Sequence, residues 1–245
     1  MSSAKLRLDR LLVSRGLGGR REIQRLIKRG LVSAEGEVLY RPEMKVDGDI
    51  KLMVAGTSSN SLPSLLAYHK PLGQLSTLRD PWGRQGLDQV LPETWRGVFH
   101  PVGRLDADTS GLLLFSSDGA LTQRLLHPKR SIPRTYQAHI HTLPHDLESR
   151  LVRGVETSLG SFTAHLEQMS ELRDDDHKPA GAESAVAVIE LTVCEGKYRM
   201  VRRMLHNAGA SVLALHRLRY GSISLGSLEV GNYRDVSDAE LTGLT

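Results

Sequence analysis

Leucines at positions 6, 8, 11 and 12 open the chain at roughly helical spacing, and Gly16 offers a stop. Ile23, Leu26 and Ile27 then follow the i, i+3, i+4 rule of a helix with one apolar stripe, and Gly30 closes it. Beyond Gly30 the period shortens to that of strands. Residues 31–33 and 37–40 flank Ala34-Glu35-Gly36, a hairpin turn, and residues 45–46 and 50–54 flank Asp47-Gly48-Asp49. Residues 4–56 thus read as two helices followed by a small sheet. The stretch GTSSNSLPS, from Gly56 to Ser64, has the Gly/Ser/Pro character of a linker.

From residue 65 onward the elements mix. A short strand leads into Lys70-Pro71, where the proline ends the ladder. The run Leu112-Leu113-Leu114-Phe115 predicts a buried strand, and residues 120–126 a helix. Further strands are expected at 135–140, 161–166, 186–193 and 212–215, and helices at 147–154 and 200–207. Residues 173–182 (RDDDHKPAGA) form a charged loop, expected to be a tolerated insertion. Strands and helices mix without regular βαβ spacing, which predicts an α+β fold. The expected division is 1–56, a linker at 57–64, and a second domain at 65–245.

Composition narrows the class. With 245 residues, 40% of them hydrophobic, the chain can bury a core of its own. No apolar run is long enough to span a bilayer, and the basic start is no secretory signal. Cys194 is the single cysteine, so a disulfide within the chain is impossible, a cysteine-based zinc site is disfavoured, and a reducing, cytoplasmic setting is expected. The ten histidines show no metal-ligand spacing; His127, His139, His141 and His145 read as strand or surface residues. The net charge of +4 is unevenly spread. Residues 1–56 carry 12 Lys and Arg against 7 acids, whereas the rest of the chain is near neutral. An anionic partner on the N-terminal part, or a plainly solvated basic face, would each explain this. The second predicted helix concentrates it: Arg20, Arg21, Arg25, Lys28 and Arg29 occupy the faces away from the apolar stripe.

Candidate chemistry centres on Gly103-Arg104-Leu105-Asp106. On an extended segment Arg104 and Asp106 point to one side, where the guanidinium would hold the carboxylate ionised. An ionised carboxylate on a rigid element can serve as a nucleophile, and the same spacing also makes an ordinary salt bridge. A second cluster, residues 195–219, holds six Lys and Arg, and Arg199, Arg202, Arg203 and His206 share one helix face there. Trp82 lies between Arg79 and Arg84, either touching nucleic acid or anchoring its loop to the core.

RLDRLLVSRGLGGRREIQRLIKRGLVSAEGEV, with KVDGDIKLMV, resembles an S4 RNA-binding domain. HPVGRLDADTSGLLLFSSDG resembles the signature of pseudouridine synthases that modify ribosomal RNA and carry an N-terminal S4 domain. Tyr68-His69-Lys70-Pro71 is similar to the family's Asn-Lys-Pro strand, with His69 for Asn. Pro133-Arg134-Thr135-Tyr136 is similar to its Lys-x-Tyr word, and EGKYRMVRRM, from Glu195 to Met204, to its Glu-Gly-Lys/Arg word, with Met200 where Gln is usual. The resemblance implies that Asp106 is the nucleophile, Tyr136 packs on the target base and assists proton removal, and Arg202 pairs with the catalytic carboxylate. It implies RNA contacts from Arg20, Arg21, Arg25, Lys28 and Arg29, and from Arg104, Lys197, Arg199 and Arg203. It further implies uridine isomerisation in ribosomal RNA or a pre-ribosomal particle, by base flipping, with no cofactor and no metal. A monomer with no membrane partner is expected. The words at 68–71 and 80–84 favour the large-subunit members, while the lack of a long C-terminal extension favours the small-subunit ones. The rival class is an S4-containing ribosome-associated factor without activity.

Overall fold

The computed structural model describes residues 5–15, 17, 19–55, 57–58, 63–78, 80–92, 95, 98–173 and 176–244. The N-terminal part runs β1 (Lys5–Arg7), α1 (Leu8–Ser14), α2 (Arg20–Lys28), β2 (Val32–Ala34), β3 (Glu37–Val38), β4 (Lys45–Asp47), β5 (Leu52–Val54) and β6 (Thr57–Ser58). Leu8, Leu11 and Leu12 of α1 pack with Ile23, Leu26 and Ile27 of α2 in one buried cluster. At the end of α2, Gly30 takes φ +72°. Leu31 N–H reaches Leu26 O and Gly30 N–H reaches Ile27 O, the paired bonds of a helix closed by a left-handed glycine. Asp9 ties the two helices together. It is fully buried, accepts from Arg7 at 3.0 and 2.9 Å and from Gln24 at 3.0 Å, and Arg7 holds its carboxyl far below the usual range.

This part departs from the sequence pattern at its start, where Leu6 lies in strand β1 ahead of the first helix, and in one pairing. Residues 45–46 do not fold across the Asp47–Asp49 turn onto 50–54. β4 pairs instead with β1, Leu6 opposite Val46, and the four-stranded sheet has the order β3-β2-β5-β6. The alternation in 50–54 is satisfied by β2, so that Val32, Ala34, Leu52 and Val54 bury together. β6 carries the sheet two residues into the stretch expected to be linker. The expected stop at Gly16 and linker positions 59–62 lie outside the described residues.

The second part comprises β7 (Leu65–Lys70), β8 (His100–Val102), β9 (Thr109–Ser116), α3 (Gly119–Leu126), β10 (Arg134–Thr142), α4 (Leu147–Arg153), β11 (Val155–Thr157), β12 (Gly160–Phe162), β13 (His165–Glu171), β14 (Ala187–Val193), α5 (Met200–Asn207), β15 (Ser211–Tyr220), β16 (Ile223–Ser224), β17 (Tyr233–Asp235) and α6 (Asp238–Leu244). The main sheet has the order β13-β14-β10-β15-β9-β7-β17, with β16 on β15 and β8 on β9. Among the described residues only β15 and β9 run parallel, in register Leu215–Thr109 to Arg217–Gly111. This is the α+β class that the sequence pattern predicts, in the form that the resemblance implies: a mixed, mainly antiparallel sheet flanked by helices, with a central cleft. One face packs on α4 and α5 through Tyr68, Phe115, Ala138, Ile140, Leu151, Met204 and Leu205. The other packs on α3 and α6 through Ala67, Leu112, Leu114, Leu121, Leu125 and Leu244.

Two strand expectations change. Residues 161–166 divide into β12 and β13, because the N–H of buried Ala164 leaves the ladder and bonds Leu151 O of α4 at 3.1 Å. The expected 212–215 strand extends to Tyr220, with Arg217 buried, His216 half-buried and Arg219 exposed along it. The two parts meet where Glu22 of α2 contacts His100 of β8. Burial raises the Glu22 carboxyl from 4.5 to about 7.

Candidate active site

Between β8 and β9 the chain forms a loop, residues 103–108, fastened to the stretch that leaves β7. Gly103 enters it at φ +78°, with the place of its missing Cβ 3.2 Å from the Leu126 side chain. The backbone of Leu105 is clamped by one hydroxyl: Ser76 Oγ accepts from Leu105 N–H at 3.0 Å and donates to Leu105 O at 2.7 Å. Gly73 N–H bonds Ala107 O at 2.8 Å, and Thr109 N–H bonds Asp106 O at 3.1 Å. Lys70 Nζ donates to Thr109 O at 2.8 Å and to Pro71 O at 2.9 Å. Lys70 is fully buried, and burial lowers its ammonium to about 8 against the pull of Asp106 and Asp108. Asp106 therefore stands on backbone that hydrogen bonds hold from several directions, which is the preorganisation a reacting group needs.

The loop forms one wall of a cavity of about 370 Å³. Arg134 and Tyr136 of β10 form the second wall, residues 195–202 the third, and Leu215, Arg217 and Tyr220 of β15 the fourth. Its cations are Arg104, Arg134, Lys197, Arg199, Arg202 and Arg217, against the acids Asp106 and Glu195. Such a mouth favours an anionic ligand.

Asp108, just past Asp106, organises the arginines. Arg199 donates to both its carboxylate oxygens, at 3.0 and 2.8 Å. Arg202 donates from Nη2 to the Asp108 carbonyl at 2.6 Å, and its Nε lies 3.3 Å from the carboxylate. Burial would raise the Asp108 carboxyl, but the Arg199 bonds and the charges of Arg202 and Arg199 hold it below the usual range. Arg199 sits at the head of α5 with φ +51°, a left-handed conformation costly for a side chain with a Cβ. The bidentate contact fixes it there.

Asp106, Tyr136, Arg202, Arg104, Lys197 and Arg199, all singled out in the sequence, come together around this cavity. Three details differ from expectation. Arg202 hydrogen-bonds Asp108 and Val212 and reaches Asp106 only as a nearby charge, because the turn presents Asp108 to α5 first. Among the described residues no hydrogen bond or ion pair joins Arg104, which is exposed, to Asp106; the Ser76 clamp fixes Leu105 between them. Arg203 is not in the cavity wall: it bonds Ser158 Oγ at 2.6 Å and stacks on Tyr198. Met200 stands buried in the wall as an apolar surface. Arg20, Arg21, Arg25 and Lys28 of α2 and Arg29 at its C-terminal cap are all exposed, with Arg20 3.5 Å from Asp9. Trp82 is 77% exposed with Arg84 over its ring, so it is no core anchor; Arg79 lies outside the described residues. Trp95 packs on Phe99 and Tyr233.

Sequence reasoning did not single out Ser76 or the ammonium of Lys70, and it took Arg217 only as one cation of the 195–219 cluster. In the sequence Lys70 shows only as the residue before a strand-ending proline, and Arg217 lies beyond the predicted end of its strand. Ser76 gave no signal. Among the described residues no group of three or more His, Cys, Asp or Glu could hold a metal, and no helix is long and apolar enough to cross a membrane.

The fold has counterparts. A solved structure described as a pseudouridylate synthase aligns over 98% of this chain and 100% of its own, with a TM-score of 0.62 and 25% identity. The RNA pseudouridylate synthase family matches residues 64–207, which hold the cavity loop, β10 and α5, and the S4 domain family matches residues 6–49. The chain belongs to the RNA pseudouridylate synthase family, with an S4 domain ahead of the synthase fold. It is 35% identical over 240 residues to the uncharacterized RNA pseudouridine synthase YtzG of Bacillus subtilis, covering 96% of this chain and 97% of that one. It is 32% identical to ribosomal large subunit pseudouridine synthase B of the same organism, over 97% of this chain and 95% of that one. It is 35% identical to the Vibrio cholerae protein of that name, over 89% of this chain and 67% of the other.

Proposed function

We propose that this enzyme converts one uridine to pseudouridine in large-subunit ribosomal RNA, free or in a pre-ribosomal particle, acting as a cytoplasmic monomer without cofactor. The observation that carries the reading is the meeting of Asp106, Tyr136 and Arg202 in one cation-rimmed cavity. The relatives named as large-subunit synthases support the choice of RNA. The target base leaves its stack and enters the cavity, where Tyr136 supplies a ring face, worth on the order of 1–3 kcal/mol per stacked base. Asp106 acts as nucleophile while the bond from N1 to the sugar breaks. The uracil turns, C5 bonds the same sugar carbon, C5 loses its proton with Tyr136 assisting, and N1 takes one up. Arg202 and Arg199, held around Asp108, keep the loop in place and supply positive charge beside Asp106. Lys197 and Arg104 at the rim, the exposed α2 cations and Trp82 take backbone and bases of the surrounding RNA. Arg203 adds positive charge behind Tyr198.

The decisive measurement is tritium release from 5-tritiated ribosomal RNA. Wild-type protein is expected to release tritium. Asp106→Ala is expected to release none while still binding the RNA. An Asp106→Ala protein of full activity would remove Asp106 from the role, and a wild-type protein that binds ribosomal RNA but modifies no uridine would favour the inactive binder.

A further inference from the structure

Two arginines meet the ring of Tyr220 at the floor of the cavity, and they differ in one respect. Arg134 lies 4.8 Å from the ring and uses its guanidinium within the protein, on Ile132 O, Cys194 O and the Tyr220 hydroxyl. Arg217 lies 5.4 Å from the same ring, and its Nε donates to Leu112 O at 2.7 Å. Its Nη2 is buried with no hydrogen-bond partner among the described residues, although the side chain lines the cavity and only 3% of the residue is exposed. A buried charged donor left unmet is costly, so its presence on a side chain that lines a ligand cavity points to a ligand acceptor. The backbone that carries it is rigid: Gly111 of β9 packs so closely that a Cβ there would lie 2.6 Å from Arg217 N.

Resting on the proposed isomerisation, we propose that Arg217 Nη2 donates a hydrogen bond to a ring carbonyl oxygen of the flipped uracil, both before and after the base turns. A guanidinium only donates, so on uracil it can address the carbonyl oxygens and not N3–H. When the N1–sugar bond breaks, negative charge spreads from N1 onto both carbonyl oxygens, and a fixed cationic donor favours that state. The turn itself supplies the second part of the argument. Rotation by half a turn about the axis through N3 and C6 exchanges N1 with C5, which the reaction requires. The same rotation exchanges the C2 carbonyl with the C4 carbonyl. One stationary donor therefore meets an equivalent acceptor in substrate and product. Bond changes balance as before: N1–sugar breaks, C5–sugar forms, and the proton lost from C5 is matched by one gained at N1.

The test is a cycle between residue and atom. Wild type, Arg217→Met and Arg217→Lys are given, in single turnover, an RNA that wild type converts, carrying uridine, 2-thiouridine or 4-thiouridine at the target. Product is quantified by mass spectrometry of the digested RNA. Sulfur is a poor acceptor, so wild type is expected to slow about tenfold on at least one thio-substrate, the equivalent of one hydrogen bond. Arg217→Met is expected to be slow on uridine and to slow less than about twofold further on that analogue, since paired changes that remove one interaction do not multiply. A role confined to bracing β9 and β15 would slow the variant yet leave the thio effect at its wild-type size, and that result in both variants would overturn the proposal. Should Arg217→Met unfold on thermal melting, Arg217→Lys carries the same cycle with the charge retained. Conversion of uridine by wild type without any such coupling would leave the isomerase reading standing and remove only this one. Absence of conversion of any ribosomal RNA by wild type would remove both.

Discussion

Gly111 sits where β9 and β15 run side by side, at φ +103°, and a Cβ on it would lie 2.3 Å from Arg217 O. Backbone cannot yield as a flexible side chain can, so alanine here must part the two strands. Gly111→Ala is expected to destabilise the protein by about 3 kcal/mol or more, seen as a lower urea midpoint, and an unchanged midpoint would contradict the close approach. Lys70→Met leaves Pro71 O and Thr109 O without their donor, at about 1–3 kcal/mol for each buried acceptor left unmet. Because those carbonyls flank the Asp106 loop, turnover is expected to fall along with the melting temperature, while affinity for RNA, which the proposal assigns largely to exposed cations, is expected to change little. Single residues of this kind show how far a sequence can be read. Asp106, Tyr136 and Arg202 were legible because distinctive words surround them. Gly111 was visible only as a glycine, since what faces it lies about a hundred positions away. Asp108 stood in the same word as Asp106, but its hold on Arg199 and Arg202 depends on how the turn meets α5.

At the scale of elements, helices with one clean apolar stripe were read well. α5 runs from Met200 to Asn207 as its pattern predicts, and α2 ends where Gly30 turns left-handed. β15 was cut short because its far half carries His216, Arg217 and Arg219, which a periodicity reading assigns to solvent. The β1–β4 pairing was invisible because a local turn offered a nearer partner. The contact between α2 and β8 carries a pH dependence. The Glu22 carboxyl is raised from 4.5 to about 7, mainly by burial. The folded protein thus retains a proton that the unfolded chain releases, so the stability due to Glu22 is complete below its unfolded value and is lost as pH rises through about 7. Burial lowers the His100 imidazole, an opposite slope present with or without Glu22. Urea unfolding of wild type and Glu22→Gln between pH 4.5 and 8 is expected to show the balance moving toward the variant as pH rises. A difference that stays constant across that window would mean that Glu22 titrates normally in the folded protein.

Across the whole molecule, charge is divided by task. The exposed cations of α2 face solvent, while the cavity sets six cations around the carboxylate of Asp106. Neutralising Arg21 and Arg25 together to Gln is expected to weaken RNA binding and to reduce the slope of log affinity against log salt by about 1–2. An unchanged slope would mean that this face of α2 does not meet phosphates. The α+β class was legible from the mixture of periods, but the strand order was not, because it depends on one parallel pairing between β9 and β15. That pairing also bears on how the protein is made. The strand pairings of the N-terminal part close within residues 5–58, whereas the cavity needs Asp106, Tyr136, Arg202 and Arg217 together. Domains emerge and fold from the N-terminus during synthesis. Until β15 has left the ribosome, the growing chain has its nucleic-acid module but lacks a wall of its reaction chamber. Grip thus comes before chemistry in the life of each molecule, and a chain cut short before β15 could occupy RNA without altering it.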